Sequence, residues 1–110
     1  MLPLSYCQVS ENNEYKKCLK SINRKNLVGV LLLNKFNIKK SEFVNQGTNR
    51  LLDKLMMWNK GNNNKVLSRK IGQRIRNDFI KGRTVIISDF LFSKTEFKLF
   101  MLFKKHGISI

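Results

Sequence analysis

The apolar residues of this chain recur at the 3.6-residue period of an amphipathic α-helix along most of its length. Residues 11–24 form the first such stretch, with lysines on the opposite face. A later stretch starts after Ser41, or only at Thr48 because Gly47 disfavours helix. Gly61 marks the end of that stretch. We therefore predict one helix over 11–24 and another that ends before Gly61.

The clearest helical pattern runs from Asn64, a good N-cap residue, to Lys81. Leu, Ile and Phe recur at every fourth residue from Leu67 to Phe79, and Gly82 follows as a helix-terminating residue. A further helix is predicted after Ser93, because Ser at the N-cap and Glu three residues later form a capping box.

Two other segments are less periodic. The apolar run 27–36 has the length of either a buried strand or a buried helix, and its leucines favour a helix. Thr84 to Ser88 is short and β-branched, which predicts a strand. Phe90 to Phe92 either continues this strand or forms a bend. The fold class expected is mostly α with one or two short strands (α+β), in a single small helical domain of four to five helices.

The chain length of 110 residues fits one domain. Residues 1–9 contain Pro3 and no sustained period, so they are expected to form an irregular N-terminal arm before a basic α-rich domain over 10–110. The longest apolar run has seven residues, whereas a membrane span needs about 20. We therefore expect no membrane span, and we see no targeting segment.

The chain carries 22 Lys+Arg against 7 Asp+Glu, a formal net charge of +15. Such a charge opposes compaction and is relieved by a polyanion, of which nucleic acid is the commonest. The sequence has no alanine and is rich in Asn and Lys, which indicates an AT-rich gene. This bias accounts for part of the lysine content, but it does not account for the shortage of acids.

The candidate nucleic-acid-binding surface is the cationic side of the helix predicted over 64–81 and the residues just after it. Four of the six arginines lie between residues 69 and 83, and the guanidinium group suits phosphates and guanine edges. The candidate residues are Lys65, Arg69, Lys70, Gln73, Arg74, Arg76, Lys81 and Arg83. A second basic patch at a predicted helix–turn–helix junction adds Lys35, Lys39 and Lys40.

We expect no catalysis, no metal and no cofactor. The single histidine, His106, lies near a helix end, where it complements the helix dipole. Cys18 is expected to be a buried small hydrophobe and Cys7 an arm residue, both reduced. The aromatic residues of the last third, and Trp58, are expected to lie in the core, with an exposed edge of Trp58 allowed.

Three functional hypotheses remain. The first is a structural RNA-binding protein of the ribosomal type, part of a ribonucleoprotein of an AT-rich genome, with the mitochondrion or another organellar matrix favoured over the cytoplasm. The second is a winged helix-turn-helix DNA-binding protein of a phage, plasmid or regulator, with Arg69, Lys70, Gln73, Arg74 and Asn77 facing the groove. The third is a non-catalytic subunit of a larger organellar assembly. RNA is favoured over DNA as partner, neighbouring proteins are expected, and no small-molecule substrate is expected.

Overall fold

The computed structural model describes residues 4–36, 38, 48–60 and 64–110, with side chains from residue 13 onward. Within these residues the chain forms five α-helices and one β-hairpin. In chain order they are α1 (Leu4–Ser21), α2 (Val28–Lys35), α3 (Thr48–Trp58), α4 (Asn64–Lys81), β1 (Thr84–Ile87), β2 (Phe90–Ser93) and α5 (Lys94–Lys105). The predicted fold class, mostly α with short strands in one small domain, is confirmed.

Helix α1 is longer at its start than predicted. It begins at Leu4, so residues 4–9 are helical and the prediction of an irregular arm there was wrong. Neither Gly nor Pro occurs between Leu4 and Ser21, so no residue in this segment interrupts a helix. The helix ends at Ser21, before the predicted residue 24, and a 3₁₀ turn over Arg24–Asn26 leads into α2.

Helix α2 confirms the helical interpretation of the apolar run 27–36, with Val30 and Leu33 buried. Gly29 lies where α2 meets the beginning of α5. A Cβ atom added at Gly29 would overlap the carboxylate of Glu96, so the close approach of the two helices requires glycine at this position. Helix α3 begins at Thr48, the later of its two predicted starts; Ser41 lies outside the described residues.

The segment after β1 does not extend that strand. It turns back as β2, which pairs antiparallel with β1 in a register that joins Thr84 to Ser93 and Ile87 to Phe90. The two turn residues, Ser88 and Asp89, have φ values of 51° and 67°. Two consecutive left-handed residues form the type I′ turn that matches the twist of a hairpin, and Asp tolerates this conformation better than most residues.

Helix α5 is the centre of the core. It is packed against α2, α3 and α4, and eight of its twelve residues are buried. Ser93 and Glu96 form the predicted capping box at its start, where the Ser93 hydroxyl accepts from the Glu96 N–H and the Glu96 carboxylate accepts from the Ser93 N–H. The predicted core phenylalanines are buried at 92, 97, 100 and 103, whereas Phe90 is half exposed and touches the ring of Phe36.

The described helices include none that is both long enough and apolar enough to cross a membrane.

Candidate nucleic-acid interface

Helix α4 presents most of the predicted cationic residues to solvent. It buries Leu67, Ile71 and Asp78 against the rest of the molecule, because residues at three- and four-residue intervals share one side of a helix. The exposed candidates on this helix are Lys65, Arg69, Lys70, Gln73, Arg76 and Lys81; Arg74 is half-buried. The cationic side of α4 predicted from the sequence is therefore exposed to solvent.

The exposed residues divide into two groups by helical spacing. Lys65, Arg69 and Arg76 lie directly opposite the buried side, at intervals of four and seven residues; we call these three residues the outer face. Lys70, Gln73, Arg74 and Asn77 follow the i, i+3, i+4, i+7 pattern on the side of α4 that approaches Trp58 at the end of α3. The two groups are neighbouring surfaces of one helix.

The one acidic residue in the sequence of α4 does not neutralise either surface. Asp78 is buried, with 3% of its surface exposed, and its carboxylate accepts hydrogen bonds from three donors. One Oδ accepts from Arg83 Nε at 2.9 Å, and the other accepts from the hydroxyl and the backbone N–H of Thr95 at 2.6 and 2.9 Å. Asp78 thereby joins the end of α4 to the beginning of α5.

The turn after α4 places Arg83 beside Asp78. Gly82 adopts a φ of 72°, and the Arg83 N–H returns to the carbonyl oxygen of Asp78 at 2.8 Å. This is the Schellman geometry of a glycine-terminated helix. Arg83 was predicted as a nucleic-acid contact; it also forms the ion pair with Asp78 while its side chain remains 46% exposed.

Burial alone would raise the pKa of Asp78. The Thr95 hydroxyl, the Arg83 guanidinium and the Thr95 N–H donate to the carboxylate, and together with the positive charge of Arg83 they outweigh burial. The pKa of Asp78 therefore lies below its ordinary value of 3.8. The group is a carboxylate at neutral pH, and it balances Arg83.

The second group of exposed α4 residues borders a shallow cavity of about 240 Å³. We call it the Trp58 pocket, and its lining consists of Trp58, Lys70, Gln73, Arg74, Asn77 and Arg83. Five of these six residues come from α4 and the turn after it, and Trp58 comes from α3. The lining contains three cations, two side-chain amides and one aromatic ring, and it contains no acid.

Arg74 is the most confined cation of the pocket. Its Nε atom is inaccessible to solvent and has no hydrogen-bond partner among the described residues. The positive charge of Arg74 also acts on Lys98 of α5. Burial lowers the pKa of Lys98, and Arg74, Lys94 and Lys54 lower it further by repulsion, while Asp78 opposes the shift. Cations from α3, α4 and α5 therefore lie close enough to Lys98 to repel it.

Sequence reasoning did not select Lys54, Lys94 or Lys98, and it placed Trp58 in the core with an exposed edge allowed. Trp58 is half-buried and packs against the core. The spacing of Lys94 and Lys98 at i, i+4 showed that they share one side of α5, but nothing local indicated that this side lies near α4. The association of these residues arises from helix packing.

The second predicted patch is only partly within the described residues. Lys35 is exposed at the end of α2. Lys39 and Lys40 lie outside the described residues.

The Cys18 thiol and the His106 imidazole lie in packed positions. Cys18 is buried as predicted, and burial raises its pKa to about 11. His106 caps the end of α5 and packs its ring edge-on against Tyr15. Burial lowers the pKa of His106, and repulsion from Lys105 and Lys16 lowers it further. Among the described residues no three His, Cys, Asp or Glu side chains gather where they could hold a metal ion.

No protein-family model, curated protein or solved structure matches this chain.

Proposed function

We propose that this protein binds nucleic acid without catalysis, through the exposed cations of α4. The observation that carries the proposal is the burial of Asp78. This residue is the only acid of α4, and its carboxylate accepts hydrogen bonds from Arg83 and Thr95. Asp78 is therefore not available to neutralise Arg69 and Arg76 of the outer face. A phosphate backbone supplies the missing negative charge, and the release of its counterions favours binding.

Structured RNA is the preferred partner because the positive charge is not confined to one side of the molecule. Each of the five described helices carries at least one exposed cation; examples outside α4 are Lys16 on α1, Lys35 on α2, Arg50 on α3 and Lys104 on α5. A protein surrounded by folded RNA meets phosphates on several sides, as does a structural component of a ribosomal-type particle. This interpretation also accommodates the AT-rich, organellar source that the composition favours.

A second candidate is a DNA-binding protein, and the order of the elements favours it. Helix α3 contacts α4, and the β1–β2 hairpin follows α4 directly. A helix, a second helix and then a hairpin is the arrangement in which winged helix-turn-helix proteins present a recognition helix and a wing. On this hypothesis Arg69 and Gln73 of α4 would read the major groove.

The test is a salt titration of binding to a labelled RNA hairpin, a DNA duplex of matched length and anionic liposomes. Each phosphate contact contributes about −0.9 to the slope of log K against log salt on a duplex and about −0.7 on a single strand. We expect Arg69→Gln/Arg76→Gln to weaken binding and to reduce the steepness of the slope by about 1.4–1.8.

The matched control removes two exposed cations elsewhere, Lys16→Gln/Lys20→Gln on α1, and is expected to have a smaller effect. An equal effect of the two double variants would show that α4 has no special role. Absence of binding to both nucleic acids at about 100 mM salt would end the proposal, because several phosphate contacts survive at that concentration. Binding to liposomes alone would favour a membrane surface instead. Tighter binding to the duplex DNA than to the RNA would favour the second candidate.

A further inference from the structure

The Trp58 pocket combines three kinds of group that recognise different parts of one nucleotide. Trp58 offers an aromatic surface, on which any base can stack. Lys70, Arg74 and Arg83 offer the positive charge that a phosphate requires. Gln73 and Asn77 each offer a carbonyl acceptor and an amide donor, the groups that pair with base edges.

We infer that the Trp58 pocket receives a single unpaired nucleotide of the bound RNA, with its base against Trp58 and its phosphate beside Arg74. This inference rests on the proposed function and narrows it. A base inside a regular helix is covered by its neighbours, whereas a bulged or looped base is free to stack on a protein side chain. The pocket therefore selects RNA that carries an irregularity.

The size of the pocket fits one nucleotide unit in a strand better than a complete free ligand. Sites for drug-sized ligands and cofactors usually measure about 300–1,000 Å³, and this one measures about 240 Å³. The space is open to solvent on one side, so the rest of a strand can continue outside it. A path for that strand is present, because the outer face of α4 adjoins the pocket on the same helix.

The electrostatics of the pocket favour an anion beside Arg74. The Arg74 Nε has no acceptor among the described residues, and an unsatisfied buried donor is unfavourable. Lys98 of α5 lies near enough to Arg74 to be repelled by it, and Asp78 offsets that repulsion only in part. A phosphate oxygen would supply both an acceptor for the guanidinium and a negative charge for these two cations.

The decisive measurement compares two labelled RNA hairpins that differ only in one bulged nucleotide in the stem. Trp58 is the single tryptophan of the chain, so intrinsic fluorescence reports on this position alone. We expect the bulged hairpin to quench Trp58 and to bind about tenfold more tightly than the paired one, as base–aromatic stacking implies. The paired hairpin should leave the fluorescence nearly unchanged.

Three variants locate the preference in the pocket. Trp58→Leu keeps apolar bulk against the core but removes the ring, and it is expected to abolish the preference for the bulged hairpin. Trp58→Phe keeps an aromatic ring and is expected to retain most of it. Arg74→Gln should weaken binding of the bulged hairpin more than Arg50→Gln does. Arg50 is an exposed arginine that lies about 12 Å from Trp58 along α3. Circular dichroism verifies that each variant is folded.

The outcomes separate this inference from the function on which it rests. Equal binding of both hairpins, unchanged by Trp58→Leu and sensitive to Arg69→Gln/Arg76→Gln, would overturn the nucleotide pocket and leave RNA binding intact. If neither hairpin binds, both the nucleotide pocket and the proposed RNA binding are overturned. A loss of the preference in Trp58→Leu together with its retention in Trp58→Phe would establish the aromatic ring as its source.

Discussion

At the residue scale, Asp78 shows that a charged residue of a largely exposed helix can be buried and have a structural role. The four-residue spacing of the apolar residues in α4 predicted that Phe79 would face the core. Phe79 is instead 43% exposed, and Asp78 is buried in the last turns of the helix. A buried carboxylate is tolerated there because Arg83 and Thr95 satisfy it, and because it lies at the positive N-terminal end of α5.

Asp78→Asn is expected to lower the free energy of unfolding at pH 7 by about 2–3 kcal/mol, because it removes the charge from hydrogen bonds to Arg83 and Thr95. Urea denaturation followed by circular dichroism measures this. The pH dependence has a definite sign. Because the folded pKa of Asp78 lies below 3.8, its contribution is fully present above 3.8 and is lost as the pH falls through the lowered value.

The wild-type chain should therefore lose more stability than Asp78→Asn between pH 5 and pH 3 or below. The control is Asp89→Asn at the hairpin turn, an exposed acid in a left-handed conformation that Asn also adopts. It is expected to change the stability by less than about 0.5 kcal/mol. An equal acid response in the wild type and Asp78→Asn would show that Asp78 is not the source of that response.

At the scale of elements, α5 organises the fold because three other helices pack around it. One close approach is at Gly29 of α2, where the backbone lies against the Glu96 side chain. That carboxylate is fixed by its hydrogen bond with the Ser93 N–H. The capping box of α5 and the packing of α2 therefore depend on the same side chain.

Gly29→Ala is expected to lower the free energy of unfolding by about 1–2 kcal/mol. Alanine gains about 1 kcal/mol in helix propensity, but the added methyl group either displaces Glu96 from its capping bond or separates the helices, and overpacking costs about 1–3 kcal/mol. The balance favours destabilisation because the obstructing carboxylate is buried and hydrogen-bonded. Chemical denaturation provides the measurement.

A double-mutant cycle isolates the cause. In a Glu96→Ala background the carboxylate is absent, so Gly29→Ala should be neutral or slightly stabilising. If the substitution has the same cost in both backgrounds, the steric explanation through Glu96 is incorrect.

At the scale of the whole molecule, the dominant feature is the net charge of +15 on 110 residues. Exposed cations occur on every described helix, and the acid with the clearest structural role, Asp78, is committed to an internal ion pair. Mutual repulsion therefore opposes the compact state in the absence of a partner. The same charge provides the long-range attraction for a polyanion.

Raising NaCl from 20 to 300 mM is expected to increase Tm by about 4 °C or more, the shift that corresponds to about 1 kcal/mol in a domain of this size. Differential scanning calorimetry checks this. The variant Lys16→Gln/Lys20→Gln/Lys105→Gln, which removes three exposed charges, should be more stable at 20 mM and should respond less to salt. A Tm that falls with salt would contradict a dominant role of repulsion.

The sequence predicted the helices well because the signals that define them are local. The apolar period of α4, the Ser93–Glu96 capping box and the terminating glycine at 82 depend on contacts within about four residues. The errors occurred where a local signal had two interpretations. Ser10 directly precedes the helix predicted over 11–24 and has the side chain of an N-cap, yet it lies inside α1 because no helix-breaking residue precedes it after Leu4. The residues from Phe90 onward have strand character, and the positive φ values at Ser88 and Asp89 determine that they turn back.

The sequence by itself determined the helical architecture, most of the buried apolar positions and the concentration of arginine on α4. The tertiary structure decided which distant residues meet. It placed Trp58 of α3 beside Arg74 and Arg83, and it joined Asp78 to Thr95, 17 residues further along the chain. The reason is physical: periodicity and capping act within a turn or two of backbone, whereas a pocket between α3 and α4 depends on how helices pack around α5, which no short segment encodes.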